Sequence, residues 1–157
     1  MGRKSIKENK NIYQEAREDL NLTREAAAEL LDFVSADRIE KIENAKSLPR
    51  PEEVLRMSEC YKRADLCNYY CTHECSIGKK YVPQVETKEL SQITLEMLAT
   101  LNALEQEKNR LIEITVDGEI SQDEEEDFAK IRSQLQEMEK AISSLSIWVE
   151  NVLNRQK

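Results

Sequence analysis

Leu22-Thr23-Arg24-Glu25-Ala26-Ala27-Ala28-Glu29-Leu30-Leu31-Asp32-Phe33-Val34-Ser35-Ala36-Asp37-Arg38-Ile39-Glu40-Lys41-Ile42-Glu43 reads as two short helices joined by a turn. Thr23 is placed to accept a hydrogen bond from a free amide in the first turn of a helix over residues 24–31. The Leu30-Leu31 pair is expected to face a core. Asp32-Phe33-Val34 makes the turn, and Ser35 caps a second helix from Ala36 to about Ala45, with Ile39 and Ile42 as its buried edge. Upstream, Ile12, Ala16 and Leu20 fall at helical spacing, and Asn21-Leu22-Thr23 ends that segment. Downstream, Pro49 and Pro51 punctuate the chain. Pro51-Glu52-Glu53 suits a helix first turn, where proline lacks no needed amide and acids favour the dipole. Val54, Leu55 and Met57 continue that fourth helix towards Tyr61.

Three Gly and three Pro in 157 residues leave few turns, and strand signals are nearly absent, so the class is all-α. No apolar run reaches the roughly 18 residues of a membrane span. The first ten residues hold no apolar core for a secretion signal, so a cytoplasmic protein is expected. The net charge of −8 is unevenly spread. Residues 1–82 carry 15 basic and 15 acidic side chains, whereas residues 83–157 carry 8 and 16. A polyanion would therefore meet the first half, helped by an arm of Arg3, Lys4, Lys7 and Lys10.

Residues 12–57 resemble the lambda-repressor-like (Cro/C1-type) helix-turn-helix regulators. The likeness is carried by Arg17, by Leu22 to Leu31, and by Val34 to Glu43 with its Ile39-Glu40-Lys41-Ile42-Glu43 ending, followed by Pro49 or Pro51. The turn is one residue longer than the family's and lacks its glycine. Asn44 stands where a second glycine often closes the recognition helix. The resemblance implies that the N-terminal residues of the second helix enter the DNA major groove. It makes Thr23, Arg24, Ser35, Ala36, Asp37, Arg38, Lys41 and Lys46 the candidate DNA-binding residues. Arg38 can pair with guanine and Asp37 can accept from cytosine. Glu43 is expected to be structural, tying the helix end to the fold.

Between Cys60 and Pro83 lie all four cysteines, the single His and four of the five tyrosines. Cys67, Cys71 and Cys75 repeat every four residues, which stripes one helix face, with Cys60 or His73 as a fourth candidate metal ligand. Sulfurs so stacked sit about 6 Å apart. Tetrahedral zinc wants them about 3.8 Å apart, so a straight helix cannot supply all three. Buried thiols explain the residues without metal. No cofactor is the leading expectation, with zinc or an iron–sulfur cluster as the alternative.

From about Thr87 the pattern becomes long helix, through Leu90, Ile93, Met97, Leu101, Leu104, Leu111 and Ile114. Asp117-Gly118 breaks it, and Ser121 with Glu124 fits a capping box. Phe128, Ile131, Leu135, Met138, Ile142, Leu145, Val149 and Val152 then form a heptad seam. Residues Glu113 to Glu124 partly fit a calcium loop, but a glycine turn and a helix cap account for them without an ion. The two long helices are expected to pair antiparallel. Trp148 and Leu153 widen the apolar face beyond one seam, so a partner surface is expected.

The expected architecture is thus an N-terminal helix-turn-helix domain of four or five helices over residues 1–63. A Cys/Tyr-rich closing segment and linker spans 64–86, and a coiled-coil-like hairpin for dimerisation spans 87–157. With one His and no phosphate-cradling loop, no enzyme is expected. The expected function is a sequence-specific transcriptional regulator that binds double-stranded DNA as a homodimer. The alternatives are an adaptor that uses its acidic hairpin for protein contacts and a metal- or redox-responsive regulator.

Overall fold

A computed structural model of the protein describes residues 10–116 and 118–156. Among them the chain forms eight helices and no strand. Arg3, Lys4, Lys7 and Asp117 lie outside the described residues. The described residues form two compact units, one of residues 10–82 with 150–156 and one of residues 83–116 with 118–149.

The first unit opens with α1 (Ile12–Asp19), α2 (Arg24–Leu31), α3 (Ala36–Glu43) and α4 (Pro51–Cys60). Each of the first three starts on a side-chain cap, from Asn11, Thr23 and Ser35, which accept from the amides of Gln14, Ala26 and Arg38. These bonds satisfy helix-end donors that otherwise lack partners. Pro51 begins α4, and the Glu53 carboxylate reaches back 2.7 Å to the Arg50 amide. The core gathers Ala16, Ala27, Leu31, Val34, Ile39, Ile42 and Met57, all essentially inaccessible. Of the Leu30-Leu31 pair only Leu31 turns inward. Leu30 is exposed, because adjacent helical residues point about 100° apart.

With so few glycines, left-handed backbone falls on other residues. Asn21, Asp32, Ala45 and Lys62 all have φ between 54° and 66°. The closure of α3 lies on Ala45 (φ 54°) and not on Asn44, which keeps φ −91°.

The Cys/Tyr-rich segment is helical, as α5 (Asp65–His73) and the single turn α6 (Gly78–Tyr81). Leu66 is fully buried in the same core as α1–α4. The Tyr13 hydroxyl donates to Glu74 at 2.9 Å, tying α1 to the end of α5. Gly78 allows α6 to fold against α5, since a Cβ there would stand 2.2 Å from the Cys71 carbonyl oxygen.

The second unit holds α7 (Leu90–Thr115) and most of α8 (Glu125–Gln156). Glu107 pairs with Lys130 and Arg110 with Asp127. Advancing three residues on α7 retreats three on α8, so the hairpin is antiparallel. Ile93, Ile114, Ile131, Ala141 and Ser144 are buried. The Glu124 carboxylate accepts from the Ser121 amide at 3.1 Å, half of the expected capping box. The Ser121 hydroxyl donates to that same carboxylate. The expected seam splits. Ile131 is buried and Met138 and Leu145 are half-buried, but Leu135, Ile142 and Val149 are 48%, 50% and 40% exposed. One partner helix covers only a narrow stripe, and α8 fills that stripe with small residues, Ala141 and Ser144, leaving the other half of the seam outside.

Candidate nucleic-acid interface

The α2–turn–α3 unit is held in shape by ion pairs. The Glu43 carboxylate, 1% exposed, accepts from Arg17 Nε at 2.6 Å, Arg17 Nη2 at 3.0 Å and Arg24 Nε at 2.8 Å. One buried acid at the end of α3 therefore joins α1 and α2, the structural role expected of Glu43. Burial works against the charge on Arg17, but hydrogen bonds from its guanidinium to Glu43 outweigh it and raise its pKa. Arg17 Nη1 also donates to the Leu22 carbonyl just before α2.

With Ile39 and Ile42 inward, Asp37 and Lys41 are exposed and Ala36 and Glu40 half-exposed on the outer side of α3. Asp37 and Lys41 pair at 3.0 Å across one helical turn. Thr23 and Ser35 cap α2 and α3. Lys46 is exposed in the loop after α3. Arg24 is partly committed, to Glu43 and at 3.7 Å to Glu40. Lys10, the described part of the basic arm, pairs with Glu18 at 2.7 Å.

Arg38 is placed differently from the expectation. Its Nε and Nη2 meet the two Glu53 oxygens at 2.8 and 2.7 Å, Nη1 reaches Ser47 at 2.6 Å, and Nη2 also donates to the Leu48 carbonyl. Four of the five guanidinium N–H groups are thereby used inside the fold. Arg38 cross-links α3, the following loop and α4, and does not present a free fork to guanine. Burial opposes ionisation of Glu53, but hydrogen bonds from Arg38 and the Arg50 amide prevail and hold its carboxyl below the usual range. Sequence reasoning missed Glu53 as Arg38's partner because the pair spans two helices. Its only signal was an acid in the first turn after Pro51.

The cysteines are not disulfide-bonded. Cys60 Sγ contacts the Leu30 carbonyl at 3.4 Å, Cys67 Sγ contacts Ser58 Oγ at 3.3 Å, and Cys75 Sγ accepts from the Gly78 amide at 3.4 Å. Burial pushes the Cys60 and Cys71 thiols up, which favours the neutral form. His73 stacks on Tyr69 with ring centroids 4.3 Å apart. Among the described residues, no three of His, Cys, Asp or Glu are grouped as a metal ion would need. Nor is any described helix long and apolar enough to cross a membrane.

Residues 14–73 match the family model described as a helix-turn-helix domain. Neither the curated proteins nor the solved structures gave a match. The matched range runs from α1 to the last residue of α5, so it takes in the segment expected to be a closing piece. Residues 14–73 are accordingly a helix-turn-helix domain, consistent with the lambda-repressor-like (Cro/C1-type) family.

Proposed function

We propose that the protein is a sequence-specific DNA-binding transcriptional regulator, working in the cytoplasm by binding and not by catalysis. The observation that carries this reading is the geometry of α3. A helix-turn-helix family match coincides with a capped helix whose inner edge is buried and whose N-terminal outer residues are open. In that arrangement α3 enters the major groove while the start of α2 lies along the backbone. Thr23, Arg24 and Lys46 are assigned to phosphate contacts. Ser35, Ala36, Asp37 and Lys41 are assigned to the groove, and Arg38 holds α3 at its angle through Glu53.

The functional unit is a homodimer formed by the hairpin. At about 100° per residue, Leu90, Leu101 and Ile112 sit roughly 80–120° around α7 from its line of contact with α8. Leu135, Ile142 and Val149 sit a similar angle around α8. In an antiparallel pair both displacements fall on the same side, giving one apolar face. Leu90, Leu101 and Ile112 are all exposed, like the α8 residues. Together they expose on the order of 550 Å² of apolar surface, the size of patch that commonly marks an interaction site. The heptad spacing of the α8 stripe suits a second copy of the same hairpin.

Binding to duplex DNA, measured by fluorescence anisotropy over a salt series, tests the reading. Lys46→Ala should weaken binding on all sequences alike and make the log–log salt slope shallower by about one. No salt-dependent binding at all would overturn it.

A further inference from the structure

Between α2 and α3 the chain does something costly. Asp32 adopts φ 66° and ψ −62°, and the Phe33 amide donates to the Leu31 carbonyl at 2.8 Å. That is the positive-φ γ-turn, a rare and strained conformation for a residue other than glycine. Leu31 and Val34 on either side are fully buried, so the turn is anchored at both ends. With both neighbours buried, the turn cannot relax inward. Its consequence is Phe33, an aromatic ring 61% exposed two residues before Ser35, the cap of α3.

We propose that Phe33 is a specificity residue that packs on the 5-methyl group of thymine as α3 enters the major groove. This rests on the DNA-binding reading above. The position supports it, because the N-terminal end of a recognition helix is the part that reaches base edges. The chemistry of the neighbouring residues supports it too. Arg38 is engaged with Glu53, and the outer side of α3 carries the acids Asp37 and Glu40 with one base, Lys41, that pairs with Asp37. Hydrogen-bond donors for bases are scarce there. An apolar ring has one distinctive partner in the major groove, the thymine methyl. The strained turn and the exposed ring, each unfavourable alone, coincide immediately before the N-terminus of α3.

The experiment begins with selection of a binding site from random duplex DNA by the wild-type full chain. Each thymine of the selected site is then replaced by deoxyuridine, which removes only the methyl group. Binding of wild type, Phe33→Ala and Phe33→Leu is measured on every duplex. At one or more thymines, removal of the methyl should weaken wild type about 3- to 10-fold, the loss expected for one buried methyl contact. Phe33→Ala should be insensitive at that thymine, and Phe33→Leu should retain part of the sensitivity. Because the ring is exposed, both variants should keep wild-type helicity by circular dichroism. Equal methyl effects in wild type and Phe33→Ala would overturn the proposal. So would undiminished binding of the selected site by Phe33→Ala, which would assign the ring to a protein contact. Failure of wild type to select any DNA would overturn the underlying DNA reading instead, an outcome distinct from both.

Discussion

Arg38 on α3 and Glu53 on α4 form a two-pronged ion pair, with nitrogen–oxygen distances of 2.8 and 2.7 Å. The same carboxylate accepts from the Arg50 amide, so one acid both starts α4 and fixes the slope of α3. Arg38 is thereby a structural residue, and replacing it should register first in stability.

Glu53→Gln tests this through pH. The carboxyl of Glu53 is held below its ordinary value in the folded chain, chiefly because Arg38 and the Arg50 amide overcome the penalty of burial. A depressed folded pKa contributes stability above the unfolded value, near pH 4.3, which is lost as pH falls through the folded value. Glu74 has the opposite sign, since burial raises its carboxyl and any contribution is lost as pH rises. Urea unfolding should show Glu53→Gln about 1–3 kcal/mol less stable at pH 7, with a smaller loss between pH 5 and 3 than wild type. An unchanged acid slope would remove Glu53 from this role.

Glu43→Ala should be harsher. It leaves buried Arg17 with only the Leu22 carbonyl and a more distant Glu18, and Arg24 with only Glu40. Removing one member of a buried charge pair costs about 3–5 kcal/mol. Thermal unfolding should show the helix-turn-helix unit melting well below wild type. A shift corresponding to less than about 1 kcal/mol would show that the bridge is not what joins the three helices.

Left-handed backbone offers the opposite effect. Ala45 and Asp32 hold φ 54° and 66°, conformations glycine adopts without a steric penalty. Ala45→Gly should stabilise the first unit by up to about 1 kcal/mol, relief of the left-handed penalty exceeding the added chain entropy. Asp32→Gly should also stabilise it, for the same reason. Chemical denaturation of both single variants provides the check, and destabilisation of Ala45→Gly would contradict the assigned closure.

Much of the first unit was legible because its helices are punctuated by short-range chemistry. Thr23, Ser35 and Pro51 each mark a helix start within one residue of where it lies. What stayed hidden depends on distant parts of the chain or on backbone angles. Arg38 looked like a base reader because nothing near it in sequence announces Glu53. Asn44 looked like the left-handed closure because residue type alone favours Asn over Ala, yet α3 ends at Glu43 with Asn44 as its cap, and the left-handed residue is Ala45. Leu66 was not read as core because the cysteines and tyrosines around it obscure the helical period. The seam of α8 was legible as a pattern, but a pattern cannot say that α7 covers only half of it.

The outward half of that seam predicts assembly. Leu135 is exposed at the middle of the apolar stripe, so Leu135→Glu should disturb the interface between copies and not the hairpin itself. Sedimentation should give a dimer mass for wild type and a monomer mass for the variant, with equal helicity. Monomeric wild type at micromolar concentration would refute the homodimer.

Selection from random duplex DNA tests the central claim most directly, because it asks for binding and sequence preference together. A dimer presenting two copies of α3 should enrich a two-fold symmetric site, its half-sites centred about one helical turn, roughly 10 base pairs, apart. Selected sites should bind well above random DNA at the same salt concentration. Recovery of unenriched sequence at low and moderate salt would contradict the account.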